Sequence, residues 1–296
     1  MNHNDNFAGG TASVFVAVIG RPNVGKSSLT NLLVGEKVAI VTSKPQTTRT
    51  RITGVVTRGP LQYVLLDTPG VHKAKNKLGK RMDKTASDSL GDVDVSMMLF
   101  EPHPGLNESE QALIDALRRS GPAIAVINKT DLIRDPAELD ARRAELEALG
   151  VFDQVCAVSV RDRKNCEELF DVLGRYAVEG PHYFDDDAYT DMPEKELVAE
   201  LIREKALLFM RDEIPHGLAV VVERFKERPG TDLVDIDVNI YCERESHKGM
   251  VIGKGGAMLK KIASAARADL RSSWAAGSTC SAGSKSSPTG GTTSSF

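Results

Sequence analysis

Nine consecutive residues, Gly20, Arg21, Pro22, Asn23, Val24, Gly25, Lys26, Ser27 and Ser28, contain the spacing G-x-x-x-x-G-K-[ST]. The types suit phosphate chemistry: glycines let backbone N–H groups close around phosphate oxygens, and a following helix adds its positive end. Lys26 can reach the terminal phosphates and the Ser27 hydroxyl can ligate Mg²⁺. A second group, Asp67, Thr68, Pro69 and Gly70, sets a carboxylate where it can hold the Mg²⁺ shell through water. The Gly70 N–H there can face a γ-phosphate and sense its loss. A third, Asn128, Lys129, Thr130 and Asp131, selects the base. The Asp131 carboxylate can accept from guanine N1–H and the 2-amino group, positions at which adenine offers no donor. Ser159, Val160 and Arg161 form a turn able to supply a backbone N–H to guanine O6.

These groups need rigid elements behind them. Apolar runs at 14–19, 63–66, 95–100, 123–127 and 155–158 read as strands, and amphipathic stretches at 27–34, 108–119, 137–149 and 166–178 as helices. That βαβ rhythm predicts an α/β domain over 13–179, a mostly parallel sheet with helices on both faces. Each motif falls where a strand gives way to a loop, the place where such sheets bind ligands. Residues 180–194 carry proline and three consecutive aspartates without a helical apolar period, and read as an acidic linker. A helix over 195–212, strands near 219–225 and 233–241, a glycine-rich turn and a helix from Ala257 form a smaller α+β domain over 195–271. Residues 1–12 are expected to be disordered. So are 272–296, where nine serines, four threonines and four glycines leave little to bury.

Bulk composition narrows the class. The 296 residues are 41% apolar with a formal charge of −3, a folded chain and no polycation gripping nucleic acid through its whole surface. Any RNA site is local, and residues 242–271 hold seven basic and three acidic residues. Cys156, Cys166, Cys242 and Cys280 show no zinc-ligand spacing, which fits a reduced, cytoplasmic compartment. No apolar run reaches the length of a membrane span, and the start lacks a secretory pattern.

With these motifs the chain resembles the Era-like P-loop GTPases over roughly 14–270. The likeness extends to Gln46, Thr47, Thr48, Arg49, Thr50 and Arg51 and to the segment Glu243 to Gly256, which is similar to the family's type II KH domain. The resemblance makes the first stretch a switch in which Thr48, with Thr47 as second choice, ligates Mg²⁺ beside Ser27 and Asp67. It assigns catalysis to Lys26, Thr48 and Gly70 around an attacking water. Val71 stands where other GTPases place a water-orienting glutamine, so turnover should be slow, and Asn23 matches the residue through which related members recruit K⁺. The G-x-x-G of Gly253, Lys254, Gly255 and Gly256, with Lys248, Lys260 and Lys261, would clamp single-stranded RNA. By resemblance the RNA is the 3′ end of 16S rRNA, and the role is assembly of the 30S subunit by a monomer, with peripheral attachment to the inner face of the cell membrane permitted. After Leu270 the family's last strand and helix are replaced by a serine-rich end resembling a shifted reading frame, so the KH domain is expected to be incomplete. Two alternatives stay open: a nucleotide-binding protein without RNA output, and a GTPase coupled to tRNA modification.

Overall fold

The computed structural model describes residues 10–42, 47, 51–68, 93–210, 217–231 and 233–273, and the backbone of 279–280, 283–286 and 292–295. The chain divides into two units, Met1–Asp191 and Met192–Phe296.

In the first unit the strands are β1 (Ala12–Gly20), β2 (Ile52–Arg58), β3 (Leu61–Asp67), β4 (Val95–Phe100), β5 (Ala123–Ile127), β6 (Gln154–Ala157) and β7 (Val178–Glu179). They form one sheet in the order β2-β3-β1-β4-β5-β6, with β7 antiparallel to the start of β1. All neighbours from β3 to β6 run parallel, and β2 is antiparallel to β3. The central strands are apolar at nearly every position because both faces are covered. Val14, Val16 and Val18 of β1 pack on one side with Leu29 and Leu33 of α1 (Lys26–Val34) and Leu169 and Phe170 of α4 (Glu168–Leu173). Ala17 and Ile19 face the other side, with Leu113, Ile114 and Leu117 of α2 (Glu108–Leu117) and Leu146 of α3 (Pro136–Glu147). Each fully buried side chain of this size contributes roughly 1.5–3 kcal/mol, so the strand ends that carry the motifs are firmly seated.

The sequence reading missed β2, whose glycine and terminal arginine weaken the strand pattern; it forms by hairpin pairing with β3. The helix expected over 166–178 is cut short at Gly174, followed by a 3-10 turn and β7. The acidic stretch after β7 is also not a free linker. Gln62, fully buried on β3, accepts from the N–H groups of Tyr183 and Phe184 at 2.8 and 3.0 Å and donates to Phe184 O at 2.9 Å. Further along, Val55 N–H donates to Tyr189 O at 2.9 Å, Thr190 Oγ1 donates to Thr53 O at 2.7 Å and Thr53 Oγ1 to Asp191 Oδ2 at 2.9 Å. Residues 182–191 are thus a strap along the β3–β2 edge, held by backbone groups that periodicity cannot reveal.

The second unit holds α5 (Glu194–Phe209), β8 (Leu218–Glu227), β9 (Leu233–Cys242), α6 (Glu245–Ile252) and α7 (Ala257–Ser273). β8 and β9 pair antiparallel, and Ile236, Val238 and Ile240 of β9 are buried. The stretch after α7 differs from the expected disorder. β10 (Thr279–Cys280) pairs parallel with the start of β9, and β12 (Thr292–Ser295) pairs antiparallel with its far end and with β11 (Gly283–Ser286). The open side of β9 is a row of backbone donors and acceptors. Ladder bonds use main-chain groups, so a segment poor in apolar residues can still occupy that side.

Candidate functional site

β1 ends at Gly20 and α1 begins at Lys26; the residue between loop and helix, Gly25, has φ 106° and no side chain caps the helix start. In contrast, α2 is closed by a full capping box from Asn107 and Glu110, and α3 by Asp135. A helix start left uncapped keeps its N–H donors for an outside acceptor. A Cβ on Gly25 would collide with Asn128 Nδ2, so glycine is required by both conformation and space.

Lys26, 6% exposed, donates from Nζ to Gly20 O and Arg21 O at 3.0 Å each, which holds the ammonium across the loop mouth. Burial pulls it down to about 8, against the opposing pull of Asp67. Asp67 ends β3 fully buried; burial pushes it up to about 6, opposed by Lys26 and by the hydrogen bond from Ser27. Ser27 Oγ donates to Asp67 Oδ2 at 2.6 Å, while Asp67 Oδ1 is buried without a hydrogen-bond partner among the described residues. A buried carboxylate oxygen left unpaired beside a hydroxyl is a pair of hard oxygen donors suited to Mg²⁺. Thr68 is spent on the fold, donating from Oγ1 to Val18 O at 2.9 Å. Thr47 shares a 2.8 Å hydrogen bond with Thr42. Thr48, Pro69, Gly70 and Val71 lie outside the described residues.

The base motif follows β5. One N–H and one lone pair of the Asn128 amide are used inside the protein: Nδ2 donates to Val24 O at 2.9 Å, and Oδ1 accepts from Val160 N–H at 3.3 Å. Asn128 thus braces the phosphate loop against the 159–164 turn, and the second N–H of its amide remains a donor of the kind the expected guanine contact requires. The Val160 N–H is directed at Asn128 as well. Asp131 accepts from Ser159 Oγ at 2.7 Å, with Arg161 Nη1 3.5 Å from its other oxygen. Lys129 and Asn23 have left-handed backbones, φ 61° and 63°. Lys129 Nζ donates to Asn23 O at 2.7 Å, and burial together with the nearby Arg21 charge lowers its pKa.

In the second unit Gly253, φ 73°, closes α6; a Cβ there would lie 2.7 Å from Met258 Cβ and 2.8 Å from its backbone N. Gly255 and Gly256 also have positive φ but open space around them. Lys254, Lys260 and Lys261 are exposed, though Lys261 lies over the Phe209 ring at 4.3 Å, and Lys248 pairs with Glu245 at 3.5 Å. The loop thus offers three outward lysines, one of them resting on a ring, and one that is paired. Exposed Met250 on α6 is a surface feature that charge counting passed over.

The family described as 50S ribosome-binding GTPase matches residues 15–129, and the KH domain family matches 213–274. The GTPase Era of Clostridioides difficile is 45% identical over 259 residues, 87% of each chain. That of Caldanaerobacter subterraneus is 48% identical over 263 residues, 86% of each. The chain belongs to the Era family of GTPases. Among solved structures, Era in complex with MgGDPNP and nucleotides 1506–1542 of 16S ribosomal RNA is similar with a TM-score of 0.85 and 32% identity, covering 91% of this chain and 92% of that one. A variant of Aquifex aeolicus Era bound to GDP·AlF4⁻ gives the same TM-score, identity and coverage. The Era assignment makes this chain an enzyme of GTP hydrolysis and sets aside the tRNA-modification alternative.

Three residues of this Era family member were not visible from motif spacing. Glu101, directly after β4, pairs with both Arg21 and Lys129; Glu110 lies 3.8 Å from Arg21; and Arg142, 1% exposed, holds the loop between them. Arg142 shares the buried face of α3 with Leu146, four positions on, and an arginine at that spacing from an apolar core position is the signal that could have pointed there.

Proposed function

We propose that this chain binds GTP with Mg²⁺, hydrolyses it slowly, and binds the 3′ end of 16S rRNA during assembly of the 30S subunit. The observation that carries the nucleotide half is the uncapped start of α1 beside Lys26 and the Ser27–Asp67 pair with its unpartnered oxygen. Backbone N–H groups of Gly25 to Ser28 cradle the phosphates and Lys26 bridges the outer two. Ser27, Asp67 and Thr48 hold Mg²⁺, which when bound draws charge from the β- and γ-oxygens. Gly70 faces the γ-phosphate, Asn128 and Asp131 read guanine, and Asn23 admits K⁺ near the phosphates. Water is the nucleophile, and slow turnover follows from Val71, which cannot orient it.

The RNA half rests on family membership and on a G-x-x-G whose first glycine is packed against α7 while the next residues face outward. We assign 13–179 with its strap to nucleotide binding and 195–271 to RNA. The protein works as a monomer in the cytoplasm, and family resemblance permits a peripheral position on the inner membrane face; among the described residues no helix is long and apolar enough to cross a membrane. The test is retention of the full chain on an immobilised 3′-terminal 16S rRNA fragment at one stated salt concentration. Greater retention with a non-hydrolysable GTP analogue than with GDP is expected. Absence of retention in both states would leave a nucleotide-binding protein without RNA output.

A further inference from the structure

β4 ends at Phe100, and the carboxylate of the next residue stands between cations from two motifs that are distant in sequence. Glu101 Oε1 accepts from Lys129 Nζ at 2.7 Å, and Oε2 pairs with the Arg21 guanidinium. Lys129 also donates to Asn23 O, so one side chain connects two points of the phosphate loop with the base motif. The backbone at the two ends of the Lys129–Asn23 bond is left-handed in non-glycine residues. Such conformations persist only where surrounding contacts over-determine them, and Glu101 is the acid that fixes the Lys129 side chain.

Glu101 is itself held from behind. Arg142 on α3 donates from Nε to Glu101 O at 3.3 Å and from Nη1 to Gly105 O at 3.2 Å, with Glu145 on Nη1 at 2.6 Å and the Phe100 ring beneath. Glu110, buried within the α2 capping box, flanks Arg21 from the other side. Two carboxylates against two motif cations leave no surplus positive charge, so the cluster is built to hold Lys129 and Arg21 in place and not to take up an anion. An isolated pair at the surface contributes little; this one is one-third exposed, has two cationic partners and stands on a backbone clamped by a buried arginine.

We propose that Glu101 is a positioning residue of the nucleotide site, locking the base motif to the phosphate loop so that both halves release a nucleotide together. The inference rests on the reading of residues 20–28 and 128–131 as that site. Loosening the lock accelerates dissociation, because a site held less rigidly loses its ligand sooner, and changes of affinity within one binding site fall mostly on the off-rate. Base choice stays with Asp131, and chemistry stays with Lys26 and the Mg²⁺ ligands.

The test uses the full chain and a fluorescent methylanthraniloyl-GDP probe. Glu101→Gln keeps the shape and removes the charge; it should release the probe about tenfold faster, while single-turnover hydrolysis at saturating GTP stays within about twofold and the melting temperature is little changed. Glu101→Asp should fall between the two. Arg142→Met, which leaves the carboxylate in place but frees its backbone, should show the same split at smaller size and serves as the second probe if the glutamine variant folds poorly. A merely structural role would lower hydrolysis and melting temperature in step with affinity. Release at the wild-type rate from Glu101→Gln, or hydrolysis falling in parallel with binding, overturns the proposal. Failure of the wild type to bind the probe overturns the nucleotide reading itself and this inference with it.

Discussion

Replacing Asn128 by aspartate tests how much of the site's affinity depends on that side chain as a brace. The two residues have nearly the same size, and the Oδ1 that accepts from Val160 survives. The change falls on Nδ2, which donates to Val24 O at 2.9 Å in a position only 2% exposed. Aspartate sets an acceptor against that carbonyl, so the hydrogen bond is lost and two acceptors face each other without water between them. Stranding one buried polar group costs about 1–3 kcal/mol of stability in the nucleotide-free protein, and the part that binding must restore by re-forming the loop sets a ceiling of about 150-fold on the loss of affinity. The loss should fall equally on GDP and GTP, because Val24 lies in the loop beneath the phosphates common to both. It should leave the preference for guanine over xanthine untouched. Isothermal titration with GDP, GTP and xanthosine diphosphate, beside a melting curve without nucleotide, separates these effects. GDP affinity within twofold of wild type would refute the brace.

Asp131→Asn should produce a swing toward xanthine, since it replaces a carboxylate oxygen by a donor suited to the 2-oxo group of xanthine; the Ser159 hydroxyl now donating to Asp131 at 2.7 Å can rotate to accept. Equal ATP and GTP binding by the wild type, in the same titrations, would refute the assignment. Lys26→Ala removes a buried charge-assisted contact and should weaken GTP binding by roughly 1.5–3 kcal/mol or more, read by equilibrium titration. Gly253→Ala, whose Cβ would lie 2.7 Å from Met258 Cβ, should reduce rRNA-fragment binding more than Gly255→Ala, which meets only open space and costs about 1–2 kcal/mol of backbone strain; equal losses would remove the packing argument. Gln62→Leu strands the strap's backbone groups and should lower stability by about 2–3 kcal/mol, a fall in melting temperature of about 4–12 °C, with nucleotide affinity unchanged.

What could be read from the sequence was chemistry compressed into short, contiguous spacing. The phosphate loop, Asp67 and Asp131 each follow a strand, and the strands announce themselves by unbroken apolar runs because both faces of the sheet are buried. What could not be read depends on partners far apart in the chain. Glu101 looks like a loop acid until folding brings it to Arg21 and Lys129. Asn128 has the right type for base contact, and its further task of bracing Val24 against Val160 depends on residues far away in the chain. The acidic stretch was misread because main-chain groups fasten it, and main-chain groups are the same in every residue. The short strands along β9 were missed for the same reason.

The strap decides where this protein can be cut in two. Sequence pattern puts the end of the nucleotide-binding unit at Glu179, just past the last strand of its sheet. Scission there would peel off the segment that answers the fully buried Gln62 and covers the β2 edge at Thr53 and Val55. The fragment would expose an amide built for the interior and a bare strand edge, a ready template for pairing with its neighbours in solution. Scission after Asp191 keeps every one of those bonds, so the twelve residues from 180 to 191, which look like a dispensable hinge, separate a well-behaved fragment from one that precipitates.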